Sequence, residues 1–383
     1  MLSRDLKGGT TAEIETDFGK DAENVLALPD GRWIFGEGEE GRIIRSCNFW
    51  MARNDLRTGK LIERPRRLTN WNGFCMNPTS ATADGKKIAY VQYFGHPTVY
   101  VADLHSSGTR ISNLRHLTLT DARDLWCDWT PDSKALIFYS TRGGHEAIYR
   151  QSLKGDSPEL LVPDPRSEGA CAVSPDGKWI LYIQGPKSDE PSGLRQLMRI
   201  PIGGGTPQTI VPLQSRQLWP MCSRSPSNLC VILDRIENRK EVILTAFDPV
   251  EGIGAELMRI KLDYGMDDPG VSPSPDGTRI AVLAAKDHFK IFTIRGELIN
   301  EIQVKGPSSV TNFNWAQDSK ALFVTGPVPG GHVLLRVSLD GQTQPVIESH
   351  MPVLIAGRPS PDGRHLVLTG VGDSANMWMM ENF

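Results

Sequence analysis

Aspartate is the residue with chemical potential that recurs most regularly along this chain. It opens turn pairs at Asp30-Gly31, Asp84-Gly85, Asp132-Ser133, Asp176-Gly177, Asp276-Gly277, Asp318-Ser319 and Asp362-Gly363. A carboxylate can hold a metal or move a proton. A turn role fits better, because an Asp side chain accepts hydrogen bonds from its own turn backbone and tolerates positive φ. Turns spread along a whole chain also do not make one active site.

The other reactive side chains form no recognisable machinery. Six cysteines, Cys47, Cys75, Cys127, Cys171, Cys222 and Cys230, contain no CxxC pair, which argues against a structural zinc site or a disulfide scaffold. Cys127, Cys171 and Cys222 each stand five residues before a turn position and are expected to be buried as small apolar side chains. Cys222 and Cys230 flank a degenerate turn at Ser227-Asn228. A two-residue hairpin there would pair Cys230 with Ser225 and Cys222 with Leu233, putting the sulfurs on opposite faces and disfavouring a disulfide. The eight histidines show no HxH or HExxH spacing, and no GxSxG elbow occurs, so no metal, cofactor or catalytic residue is expected. "IGGGTP", Ile202 to Pro207, has no following helix and reads as a turn between strands.

The turns belong to a repeat. With Ser227-Asn228 included, eight turn positions follow one another at 42 to 54 residues, a period suited to a four-stranded sheet with its turns. Each separates two strand-like runs, such as "ACAVS" and "WILYI". Third strands follow at "TVYVADL", "AIYRQSL", "QLMRIPI", "VILTAFD", "FKIFTIR", "VLLRVSL" and "ANMWMME", and fourth strands at "RHLTL", "ELLVP", "QTIVP", "EIQV" and "QPVIE". No unit contains an amphipathic helix.

Radially repeated four-stranded sheets make a β-propeller. The expected fold is therefore all-β, an eight-bladed β-propeller of antiparallel blades forming a single domain over 1–383, with seven blades as the alternative. Residues 1–20 provide a closing strand and linker; blades fall at about 21–70, 71–120, 121–164, 165–213, 214–264, 265–306, 307–349 and 350–383. The N-terminal "LSRDLKGGTTAEIE" matches "YRQSLKGDSPELLV", so residues 9–16 are expected to complete the last blade and remove an open edge.

Strand alternation then nominates a site. Three residues before the turn Asp stand Trp129, Val173, Pro273, Trp315 and Pro359, a set suited to wedging between blades. One residue earlier stand Ser80, Asp128, Ala172, Ser223, Ser272, Asn314 and Arg358, of which Ser80, Asp128, Ser223, Ser272, Asn314 and Arg358 are expected to line a central channel and bind a polar ligand or peptide.

Composition limits the partners. A net charge of −3 over 383 residues gives no field that would draw nucleic acid or an anionic membrane. The densest basic cluster, Arg57, Lys60, Arg64, Arg66 and Arg67, is expected to guard a sheet edge. With no run of about 18 apolar residues and no apolar stretch near the start, neither a membrane span nor a secretory leader is expected. The chain as written would be cytoplasmic, or extracytoplasmic if it belongs to a membrane-anchored parent.

"WTPDSKALIFYSTRGGHEAIYRQSL" and "SPDGKWILYIQ" resemble the WD-like propeller repeats of TolB and of the tricorn and prolyl-oligopeptidase propellers. "PRRLTNWNGFC", "SPDGRHLVLTG" and "NMWMMENF" more narrowly resemble the C-terminal propellers of bacterial serine/threonine kinases and winged-helix regulators, notably acidobacterial ones. The resemblance implies a bacterial sensing or interaction module of a larger signalling protein. The expected function is thus non-catalytic recognition of a protein, a peptide or a small ligand by a monomer. The alternative is a propeller enzyme, a metal-assisted lyase or a hydrolase, with a site near the axis.

Overall fold

The computed structural model describes residues 2–3, 12–13, 22–38, 47–55, 58, 60–70, 76–94, 97–105, 108–120, 122–155, 157–163, 167–186, 194–213, 219–236, 241–261, 270–350, 353–355, 357–371, 374–381 and 383. Among them there is no α-helix. The chain forms two compact units, Met1–Gly95 with Asp373–Phe383, and His96–Gly372.

The first unit holds β1 (Leu2–Ser3) and β2 (Ala12–Glu13), a short two-stranded ladder. It also holds a four-stranded sheet of β3 (Ala22–Ala27), β4 (Arg32–Gly38), β5 (Cys47–Asn54) and β6 (Leu61–Arg67), and the strands β7 (Met76–Ala81) and β8 (Lys87–Phe94). As expected of its basic residues, β6 is an edge strand.

The second unit begins with β9 (Pro97–His105) and β10 (Arg110–His116). Five sheets with sequential strand order follow. They are β11 (Asp124–Trp129) to β12 (Ala135–Ser140), β13 (Ala147–Ser152) and β14 (Glu159–Val162); β15 (Ser167–Val173) to β16 (Trp179–Gln184), β17 (Arg195–Pro201) and β18 (Gln208–Leu213); β19 (Pro220–Cys222) to β20 (Cys230–Ile236), β21 (Glu241–Asp248) and β22 (Gly252–Lys261); β23 (Val271–Pro273) to β24 (Arg279–Ala285), β25 (His288–Thr293) and β26 (Leu298–Gln303); and β27 (Asn312–Trp315) to β28 (Ala321–Val328), β29 (Gly331–Ser338) and β30 (Thr343–Ser349). Then come β31 (Val353–Ile355), β32 (His365–Val371) and, in the first unit, β33 (Ser374–Glu381).

Eight antiparallel sheets of three or four strands result, but two of them are assembled differently from the expectation. "TVYVADL", in β9, pairs with β32 and not with β8, while "ANMWMME", in β33, pairs with β8. The sheets are β10-β9-β32-β31 and β33-β8-β7. Local patterning states which face of a strand is apolar, not which neighbour supplies its ladder, so consecutive strands were a default that these two repeats do not follow. β9 and β10 thus occupy the outer positions beside β32 that had been expected for β33 and residues 9–16. Of residues 9–16, only Ala12–Glu13 is described, and it pairs with Leu2–Ser3; the rest of the expected closing strand lies outside the described residues.

Inner strands read as continuous apolar runs because both sheet faces are covered. "ALIFYS" and "WILYIQ" are buried along nearly their whole length, whereas the edge strand β10 is mostly exposed. The cover comes from six apolar seams within His96–Gly372. Tyr139 and Tyr182 join the β11 and β15 sheets; Leu181 and Ile232 the β15 and β19 sheets; Val231 and Ile280 the β19 and β23 sheets. Phe289 and Trp315 join the β23 and β27 sheets, and Phe323 and Leu368 the β27 and β31 sheets. The sixth seam, Val99, Val101 and Val367 with Trp129 and Leu136, returns to the β11 sheet. Each of these six sheets thus shares an apolar seam with two others.

The repeated turn is a hydrogen-bond unit. At Ser174 to Trp179, the Gly177 N–H donates to the Ser174 carbonyl (2.8 Å), and the Ser174 hydroxyl donates to Asp176 Oδ1 (2.6 Å). The Lys178 N–H donates to the same carboxylate oxygen (3.1 Å), and the Trp179 N–H donates to Ser174 Oγ (3.0 Å). Ser274 with Asp276 and Ser360 with Asp362 repeat the set. Burial raises these carboxyls, but the hydroxyl and N–H donors outweigh it; Asp176 and Asp362 lie below the ordinary range and Asp276 at about 2. Only the residue after the Asp has positive φ, 73° at Gly177 and 61° at Ser133. The turn Asp itself has no positive φ; the left-handed residue is the one after it, whose N–H closes the i to i+3 bond.

Neighbouring turns nest. Ser133 Oγ accepts the Asp362 N–H (3.1 Å) and Ser319 Oγ accepts the Asp276 N–H (3.2 Å), each across a sheet boundary. At Gly277 (φ +67°) an added Cβ would lie 1.9 Å from Ser227 Oγ, whereas at Gly144 (φ +83°) it would meet nothing within 4 Å. Gly277→Ala is therefore expected to cost about 1–3 kcal/mol more than Gly144→Ala in denaturant unfolding, since only the former adds overpacking to the φ penalty. Equal costs would show that the two turns do not nest.

Candidate functional site

The site is assembled from residues of different sheets. Asp128 lies near the end of β11, where the register shifts between Trp126 and Asp128 and leaves Cys127 as the extra residue of a bulge. Its neighbour Trp129 is fully buried in the sixth seam and donates its indole N–H to the Arg358 carbonyl (2.8 Å). Trp315 does the same to the Ser272 carbonyl (2.9 Å). The set expected to wedge between sheets thus anchors the backbone of the set next to it.

Asp128 itself is 1% exposed. Its Oδ1 accepts the Trp129 N–H (2.8 Å) and the Arg224 guanidinium (2.5 Å); its Oδ2 accepts the Val173 N–H (3.0 Å) and lies 3.3 Å from Arg358 Nη1. Arg358 Nη2 also donates to the Cys222 carbonyl (3.2 Å). Arg358 precedes β32 and Cys222 ends β19, so the ion-paired cluster draws together residues that belong to the β11, β19 and β31 sheets.

The electrostatics follow from burial. Desolvation alone would raise the Asp128 carboxyl, but Arg224, Arg358 and two backbone N–H donors outweigh it and hold it below the ordinary range. Arg358 is pulled down to about 10 by desolvation, against the pull of Asp128 and with a push from Arg224. Two guanidiniums thus face one carboxylate.

The remaining expected lining residues take no part in these ion pairs. Ser223 is buried and donates to the Leu229 carbonyl (2.9 Å) within its own loop. Ser272 and Asn314 are half-buried on β23 and β27, and Ser80 is exposed on β7, in the other unit. Of the six residues, only Asp128 and Arg358 are joined by an ion pair. Arg224 was missed. The signal for it was the degenerate repeat itself, in which "SRSPSNL" replaces the short Asp-Gly turn and lengthens the loop; the Arg224 N–H donates to the Pro275 carbonyl (2.8 Å) of the next sheet and fixes the loop.

The cysteine expectations are overturned here. Cys127 and Cys171 form a disulfide across the seam between the β11 and β15 sheets. Cys222 and Cys230 form another, because β19 and β20 pair these two residues directly. The hairpin loop spans 223–229, so the two-residue turn assumed from the repeat put Cys230 opposite the wrong residue. Both bridges flank the cluster: Cys127 adjoins Asp128, and Cys222 supplies the carbonyl held by Arg358. Among the described residues no three His, Cys, Asp or Glu side chains gather as metal ligands. No described helix is long and apolar enough to cross a membrane.

Neither a family model nor a curated relative matches the chain. Solved structures do. A putative TolB from Agrobacterium tumefaciens is 16% identical with a TM-score of 0.53, over 72% of this chain and 99% of that one. TolB from Acinetobacter baumannii is 11% identical over 91% of this chain and 81% of that one (TM-score 0.47), and an oligogalacturonate lyase in complex with manganese is 10% identical over 78% and 96% (TM-score 0.44). At these identities the likeness is one of fold, and the fold is that of a TolB-like β-propeller.

Proposed function

We propose that the chain is a non-catalytic recognition module whose His96–Gly372 unit is a six-bladed propeller, closed by β9 and β10 beside β31 and β32, and that it binds a protein segment or small ligand where Asp128, Arg224 and Arg358 meet. The observation that carries this is the convergence of three charged side chains from different sheets, with one carboxylate buried under two guanidiniums. Burying such groups has a desolvation cost that turn or seam packing does not require, and perturbed charges at a convergence of loops mark binding sites. The kinase-propeller resemblance supports a place in a larger signalling protein. The two disulfides support an oxidising compartment.

A thermal-shift screen of the oxidised chain against short peptides, amino acids, sugars and divalent metals with chelator tests the proposal. A ligand at about 100 times its Kd adds about 2.7 kcal/mol of stability. A shift from an intact ligand that is weakened in Arg224→Gln supports the module. Conversion of the ligand to product, read by mass spectrometry, would replace it with the enzyme.

A further inference from the structure

The charges of the cluster do not balance. Asp128 has used its acceptor capacity, with each carboxylate oxygen engaged by one backbone N–H and one guanidinium. Arg224 engages a partner through Nη2 alone, and Arg358 through Nη1 and Nη2. Among the described residues, Arg224 Nε and Nη1 and Arg358 Nε have no acceptor, yet none is sealed from solvent as a buried unsatisfied atom. The side chains are 12% and 22% exposed, so they can be reached from one side while Asp128, at 1%, cannot. Among the described residues, the charged groups that act on Arg358 are Asp128 and Arg224.

A surplus positive charge with unused guanidinium donors on two arginines in a mostly buried place is matched by one anion of a single charge. We infer that the group taken by Arg224 and Arg358 is a carboxylate, presented by a small organic acid or by the C-terminus of a peptide. This rests on the proposed recognition role and narrows it. Phosphate, with nearly two charges, would overcompensate a site that lacks one.

The test is calorimetric titration of the oxidised full chain at constant ionic strength. The probes are an N-acetyl tripeptide with a free C-terminal carboxylate, the same tripeptide as its C-terminal amide, acetate, and inorganic phosphate. The acid is expected to bind at least 10-fold tighter than the amide. Acetate binding as well as the acid peptide identifies a small acid as the source; a large advantage for the peptide identifies a C-terminus. Arg358→Gln should lose at least 10-fold for the acid, Arg358→Lys should lose part of that because a point charge cannot fork, and circular dichroism verifies that each variant is folded. Asp128→Asn, which adds to the surplus positive charge, should tighten binding if it folds. Equal binding of acid and amide, a preference for phosphate, or an acid affinity unmoved in folded Arg358→Lys and Arg224→Gln would overturn the inference. If the amide or a sugar binds and is weakened by Arg224→Gln, recognition at the cluster stands while the carboxylate assignment fails.

Discussion

Asp128→Ala is expected to destabilise His96–Gly372 by about 3–5 kcal/mol, because it leaves two largely buried guanidiniums facing each other with their shared anion gone. It also strands the Trp129 and Val173 N–H groups, which donate to the carboxylate at 2.8 and 3.0 Å. Denaturant unfolding monitored by circular dichroism reads the loss, and a change under about 1 kcal/mol would show that the cluster is not formed. The pH dependence has a definite sign. The folded Asp128 carboxyl lies below its ordinary value, so its contribution is complete above about pH 4 and is lost as pH falls through the lower, folded value. The stability gap between the wild-type chain and Asp128→Asn should therefore be widest near neutrality and narrow in acid.

The second large effect belongs to the disulfides. Cys127 and Cys171 are 44 residues apart, and closing a loop of that size restricts the unfolded chain by about 4 kcal/mol in the chain-entropy account. Cys222 and Cys230 are 8 apart, for about 2.5 kcal/mol. Cys127→Ala/Cys171→Ala is expected to lose more than Cys222→Ala/Cys230→Ala. Dithiothreitol should lower the Tm of the wild-type chain strongly, and that of the first double variant by much less. A reductant-insensitive wild-type Tm would contradict both bridges. Because the first bridge adjoins Asp128 and the second ends at the carbonyl that Arg358 holds, reduction should weaken ligand binding as well as stability.

Much of this architecture could be read from spacing and alternation. The eight recurring turn positions announced eight sheets, three of the turns as Ser-Pro-Asp-Gly, in which a hydroxyl and a carboxylate two residues apart close the same turn. Counting back from the turn Asp placed Trp129, Val173 and Trp315 in buried seams, and put Asp128 and Arg358 in one set before their ion pair was seen. What could not be read is non-local. The exchange of β9 and β33 between sheets leaves no mark on either strand, because both satisfy the same apolar pattern. Arg224 and the Cys222–Cys230 bridge depend on a loop of seven residues where the repeat suggested two, and one wrong loop length moved every predicted cross-strand partner. Cys127 and Cys171 were expected as buried small side chains, and only a three-dimensional distance distinguishes two neighbouring thiols from a bridge.

The most direct measurement is a double-mutant cycle between Asp128→Asn and Arg224→Gln, read as unfolding free energy at neutral pH. The two residues are 96 positions apart, one on β11 and the other in the loop between β19 and β20, so they interact only if the β11 and β19 sheets are brought together as described. A coupling energy of about 1.5–3 kcal/mol is predicted for this buried, charge-assisted bond. Additive effects, with a coupling within about 0.5 kcal/mol of zero, would contradict the cluster and the site built on it.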